Sequence, residues 1–143
     1  MLIVIATVCA GLFSGAALYV NLVEHPARLV CGPELAVREF APSYRRGTVM
    51  QASLAVIGSL AGTVGAWRYG EPKLFVGSLL LLAVVPFTLV VILPTNRRLL
   101  NPSLDPKSSE AVALLTRWGH LHAVRTLLSF AAFMLFLRRL AKG

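Results

Sequence analysis

The stretch LFVGSLLLLAVVPFTLVVIL, residues 74–93, carries no charged side chain over its whole length. Wound as a helix at about 1.5 Å per residue it rises about 30 Å, the thickness of a bilayer's hydrocarbon core. Inside that core every backbone N–H and C=O must be satisfied within the segment, so the reading is a transmembrane helix. Three more apolar blocks flank it, at about 1–23, 48–66 and 121–137. The chain is therefore expected to be all-α, a membrane-spanning antiparallel four-helix bundle forming one domain over residues 1–143. Composition agrees: 57% of residues are hydrophobic, 14% are charged, and the mean hydropathy is +0.74. Such a balance excludes a water-soluble globular enzyme, a disordered chain and a disulfide scaffold. The first block lacks the basic start of a secretory signal and reads as a retained helix.

The connections set the topology. Trp67 to Lys73 holds Gly70 and Pro72 as breakers, which makes spans two and three antiparallel neighbours. Glu24 to Gly47 contains Pro26, Pro33 and Pro42 and is expected to be an interfacial loop with a short helix around 34–40. Pro94 to His120 holds Pro102 and Pro106, then an amphipathic run, Ser108 to Arg117, that leads helically into span four. Gly11 with Gly15 and Gly58 with Gly62 put small residues at i,i+4 on one helix face. These are expected packing seams, within the bundle or in a homo-oligomer.

A formal net charge of +8 would suggest nucleic acid in a soluble protein. Here the basic residues flank apolar spans and no aromatic-basic recognition pattern accompanies them, so the expected partner is the lipid bilayer, with no nucleic acid. Arg28, Arg38, Arg45, Arg46, Arg97, Arg98, Lys107 and Arg117 follow spans one and three, against Arg68, Lys73, Arg138, Arg139 and Lys142 at the opposite end. That bias predicts a multi-pass protein whose first-named end faces the cytoplasm. Cys9 and Cys31 lie about 33 Å apart along one helix and are not expected to pair.

Nearly all the unusual chemistry gathers at that same end. Span one brings Asn21, Glu24 and His25, span two Tyr44, Thr48 and Gln51, span three Thr88, Thr95 and Asn96, and span four Trp118, His122 and Arg125. Asn21 and His25 are i,i+4, while Trp118, His122, Arg125 and Ser129 step by four, three and four along one face. His120 falls on another face and is expected at the surface. An ionisable residue at membrane depth is costly unless it faces the bundle interior, a watery cavity or a partner, so His122 and Arg125 define a candidate site. Each residue also has a structural reading. Arg125 can snorkel or pair with Glu24, His25 can cap a helix exit before Pro26, His122 can be a satisfied core histidine, and Asn96 can end a helix. Trp118 and Tyr44 can be ordinary interfacial aromatics.

Four separated segments carry a family resemblance: GLFSGAALYVNLVEHPAR at residues 11–28, FAPSYRR at 40–46, LPTN at 93–96 and RWGHLHAVRT at 117–126. In this order they resemble the DUF1772 family, small integral membrane proteins that include the anthrone oxygenases, and they reach all four spans. The resemblance implies oxidation of an anthrone at its central CH₂ to a quinone by O₂, with no metal or organic cofactor. The residues are compatible with that chemistry. His122 or His25 serves as base, and Arg125, with Asn96 or Gln51, stabilises the enolate oxygen. Asn21, Tyr44, Gln51 and Trp118 line the binding site for a small flat aromatic substrate. Two other classes stay open on sequence alone. Glu24, His25 and His122 could bind iron, copper or haem, or the bundle could be a non-enzymatic transport, lipid-binding or assembly protein.

Overall fold

A computed structural model describes residues 1–142, and among these no strand occurs. Four helices, α1 (Leu2–Val30), α2 (Pro33–Tyr69), α3 (Pro72–Leu99) and α4 (Ser109–Leu140), are each long and apolar enough to cross a membrane. The all-α, four-helix expectation holds. α1 packs against α2 and α4, and α3 packs against the same two, so α1 and α3 occupy one diagonal of a square. Gly32 and Gly70, at φ +94° and +62°, make the turns out of α1 and out of α2. A side chain beyond glycine rarely adopts that backbone, which is why these hairpins can be so short.

The segment from Glu24 to Gly47 departs from the expected loop. α1 continues helically to Val30, the chain turns at Cys31 and Gly32, and α2 then runs unbroken for 37 residues with Pro42 inside it. Pro33 sits in the first turn of α2, where its missing N–H is not needed. α2 is thus about 55 Å long, well beyond the hydrocarbon thickness, and carries a helical cap out of the apolar slab. The amphipathic run before span four does lead directly into it: α4 starts at Ser109, with the Ser108 hydroxyl accepting the Ala111 N–H at 3.1 Å.

Both diagonal helices change register at the same end. Val20–Glu24 in α1 and Thr88–Ile92 in α3 are π-helical turns. The His25 N–H bonds Val20 O and the Leu93 N–H bonds Thr88 O, one residue further back than in an α-helix. Pro26 and Pro94 follow immediately. A helical proline lacks an N–H and its ring crowds the carbonyl four residues earlier, and the widened turn relieves that conflict.

Two cores result. Within the apolar slab Ala6, Ala10, Phe13, Ala55, Leu81 and Phe136 form a cluster of small and large residues. Three of the four seam glycines pack inside this bundle. A Cβ on Gly58 would meet Cys9 and Leu81 at 2.8 Å, on Gly62 the Ser78 hydroxyl, and on Gly11 the Phe133 ring at 3.0 Å, while Gly15 faces open space. The second core lies in the cap, where Ala36, Phe40, Ile92, Leu99, Leu115 and Trp118 pack together. Ion pairs tie the cap: Arg28 to both Glu24 and Glu39, Arg98 to Glu110, and Lys107 to Glu34 at 3.4 Å. At the far end Arg139 lies 3.8 Å from Glu71.

Candidate active site

The polar residues of the sequence analysis meet where the two cores join. Asn21, on the π turn of α1, reaches across to α4, where its Nδ2 donates to the Gly119 carbonyl at 3.1 Å. A carbonyl only accepts, so this bond fixes which end of the amide is which. Asn21 Oδ1 then faces His122 Nδ1 at 2.8 Å and also accepts from the Thr126 hydroxyl at 2.6 Å. An amide oxygen only accepts, so His122 Nδ1 carries the proton. In its neutral form the imidazole then leaves Nε2 unprotonated, and Nε2 has no hydrogen-bond partner among the described residues.

Arg125, one turn along α4, donates from Nη2 to Gln51 Oε1 at 2.7 Å. Its guanidinium lies 5.5 Å from the centre of the Phe13 ring, its Nε is buried without a partner, and it has no ion pair among the described residues. Pairing with Glu24 does not occur, because that carboxylate is held by Arg28. Arg125 is consequently a cation at the bundle interior whose charge is balanced by an amide dipole and an aromatic face, a setting in which a bound anion gains much.

Two small cavities flank this guanidinium. One, of about 60 Å³, is bordered by Tyr44, Thr48, Gln51, Trp118, His122 and Arg125 among others. Val20, Ser43, Gly47 and Gln51 also border a groove of about 540 Å³ between α1 and α2. The other, of about 90 Å³, lies towards the middle of the bundle between α2 and α3.

Of the eight residues named from sequence, the structure brings Tyr44, Gln51, Trp118, His122 and Arg125 to one cavity wall. Asn21 stands behind that wall, with both amide groups committed to protein partners. His25 is buried against Trp118 at a ring separation of 5.1 Å, with both ring nitrogens unpartnered. Asn96 is buried in the cap with Oδ1 unpartnered. Neither His25 nor Asn96 lines the two cavities beside Arg125. Trp118 is itself enclosed, with His122 at 4.7 Å, Phe40 edge-on at 5.4 Å and the Arg28 guanidinium at 5.9 Å. Tyr44 stacks on Phe40 at 5.8 Å. Among the described residues no three His, Cys, Asp or Glu side chains come together as a metal site, so Glu24, His25 and His122 do not form one.

Sequence reasoning passed over three contributors. Thr126 lies i,i+4 from His122, a spacing that could have flagged it. Gly119 admits the His25 ring, which a Cβ there would meet at 2.7 Å. Arg28, only 5% exposed, joins α1 to α2 through Glu39 at 2.7 Å, and nothing in its sequence context distinguishes it from the surface cations.

Comparison with known proteins supplies the last observation. The model of a family described as anthrone oxygenase matches residues 40–135. The anthrone oxygenase tpcL of Aspergillus fumigatus is 28% identical over 148 aligned positions, covering 96% of this chain and 91% of that protein. No solved structure matches.

Proposed function

This chain belongs to the anthrone oxygenase family, and from that premise we propose that it oxidises a flat aromatic carbon acid, an anthrone or a close analogue, at its activated CH₂ with O₂. The observation that carries the reading is the fixed tautomer of His122. Gly119, Asn21 and Thr126 together leave Nε2 as a lone pair at a cavity wall that it shares with Arg125. A general base needs such an oriented lone pair.

An anthrone CH₂ is acidic because its carbanion delocalises onto the ring carbonyl as an enolate. His122 Nε2 takes the proton, and Arg125, oriented by Gln51, meets the oxygen on which the charge accumulates. The electron-rich enolate then supplies the electrons for O₂. The cavity beside His122 is too small for three fused rings, whereas the neighbouring α1–α2 groove has the roughly 300–1,000 Å³ usual for small-molecule sites. Val20, Ser43, Gly47 and Gln51 border both. The groove lies between α1 and α2 and is lined from both helices, with Ala16, Tyr19, Pro42 and Met50 among its residues, which suits a substrate that partitions into the bilayer. The bias of basic residues towards this end supports a cytoplasmic orientation.

The test uses the purified protein in lipid nanodiscs with a series of anthrones. Under nitrogen it should speed exchange of the CH₂ protons into deuterated solvent, and in air it should consume one O₂ per quinone formed. Neither exchange nor O₂ uptake with any anthrone would overturn the proposal.

A further inference from the structure

We propose that the second cavity, between α2 and α3, is the binding site for molecular oxygen, an inference that rests on the oxygenase reading above. Its volume is about 90 Å³, and it is lined by the apolar side chains of Phe13, Ala52, Ala55, Val84, Val85 and Leu89 together with Thr48, Gln51, Thr88 and Arg125. The Thr88 hydroxyl is satisfied within its own helix by Val84 O at 2.7 Å. Six of the ten lining side chains are apolar, which suits a small apolar molecule, and the polar groups beside it are Thr48, Gln51 and Arg125, whose Nε is unpartnered. Ala55 and Val84 are buried, while Ala52 and Leu89 are exposed on the flank of the bundle. Since all four lie on spans that cross the apolar slab, the cavity opens towards hydrocarbon, where O₂ is more soluble than in water.

Arg125, Gln51 and Thr48 border both cavities. The guanidinium thus separates the carbanion from the oxidant while touching the space of each. Proton transfer from the substrate CH₂ to His122 leaves the enolate. One electron passes from it to O₂, giving a carbon radical and superoxide, and negative charge moves from one side of Arg125 to the other. A fixed cation in a low-dielectric site favours that movement. Superoxide then moves past the guanidinium into the substrate's cavity, radical and superoxide combine through a new C–O bond, and the peroxide anion takes the proton from the His122 imidazolium. Loss of the remaining C–H as a proton, with cleavage of O–O, then yields C=O and water. The sum is CH₂ plus O₂ giving C=O plus H₂O, with no outside reductant.

Two measurements on the intact protein test the assignment. Under O₂ pressure, paramagnetic relaxation of the Ala55, Val84 and Val85 methyls should exceed that of Val56, an exposed methyl-bearing residue one position from Ala55; equal relaxation would overturn the site whether or not the protein turns over an anthrone. Narrowing the cavity from the lipid side with Ala52→Phe or Val85→Phe should raise the KM for O₂ roughly tenfold, while the anaerobic CH₂ exchange, which needs no O₂, keeps its rate. A folded variant with an unchanged KM for O₂, or one in which the KM for the anthrone rises instead, would overturn the proposal and assign the space to the organic substrate. Loss of anaerobic exchange in the unmodified protein would instead count against the oxygenase reading itself.

Discussion

Asn21 Oδ1 and His122 Nδ1 lie 2.8 Å apart although 101 residues separate them in the chain. Asn21 also donates to the Gly119 carbonyl in the turn preceding His122, so its orientation is set by α4's own backbone. The pair joins α1 to α4 and decides which nitrogen of the imidazole faces the cavity.

Asn21→Leu should keep the four-helix fold while freeing the His122 ring to take either tautomer. Turnover should fall by more than tenfold, and nitrogen NMR of labelled histidine should show His122 shifting from the Nδ1–H form to a mixture. A variant that loses turnover but keeps the Nδ1–H signature would remove Asn21 from this positioning role.

Replacing the base itself is more severe. His122→Gln should lower both anaerobic CH₂ exchange and O₂ uptake by about 10²–10⁴, the range of general-base catalysis. Parallel loss of both half-reactions is the expected signature, because His122 acts before oxygen does. Retained exchange would assign the proton transfer to another group.

Arg125→Met exchanges an unpaired interior cation for an apolar side chain of similar reach. Turnover should drop by about 10²–10³, the effect of removing one oxyanion donor. Thermal stability in detergent should hold or rise, since the desolvated guanidinium has no carboxylate partner to offset its burial. A sharp fall in stability would mark Arg125 as a structural residue.

Gly119→Ala brings a methyl within 2.7 Å of the His25 ring. The ring and the Gly119 carbonyl must both move, with an overpacking cost of about 1–3 kcal/mol read as a lowered melting temperature. An unaltered melting temperature would show that His25 is free to retreat.

Cys31 sits exposed at the α1–α2 turn, while Cys9 is buried. The proposed orientation, site-bearing end inward, predicts that a membrane-impermeant thiol reagent spares Cys31 in intact cells and modifies it after lysis. Ready modification from outside would reverse the orientation.

Periodicity and length revealed the four helices because an apolar run near 20 residues has few other physical solutions. Helix phase also revealed the side chains that meet at one end, as Tyr44, Gln51, Trp118, His122 and Arg125 show. The helical character of Glu24 to Gly47 was hidden by its prolines. Pro33 stands at a helix start, where proline is compatible, and Pro42 is accommodated inside α2. The role of Asn21 was hidden for a different reason. Its partners are on α4, and a contact across 101 residues leaves no mark in local spacing. Arg125's lack of a partner was equally unreadable, because the nearby acidic residue Glu24 belongs to Arg28 only once α1 and α2 are in place.

The widened turns in α1 and α3 impose a counting rule on the chain. Each lodges one more residue per turn than its flanking helix allows, and side chains on either side are phased accordingly. Deleting Leu22 or Val90 would let the ladder close at four-residue spacing, and because the extra residue leaves together with the widened turn, the helical segments on either side would keep nearly their present phase. In α1 Phe13 would stay in step with His25, while Asn21, inside the turn, would lose its own setting. A deletion within Leu2–Tyr19 has no such slack and would rotate everything beyond it by about 100°. The widened turns are therefore the places in the bundle where a change of length is best absorbed.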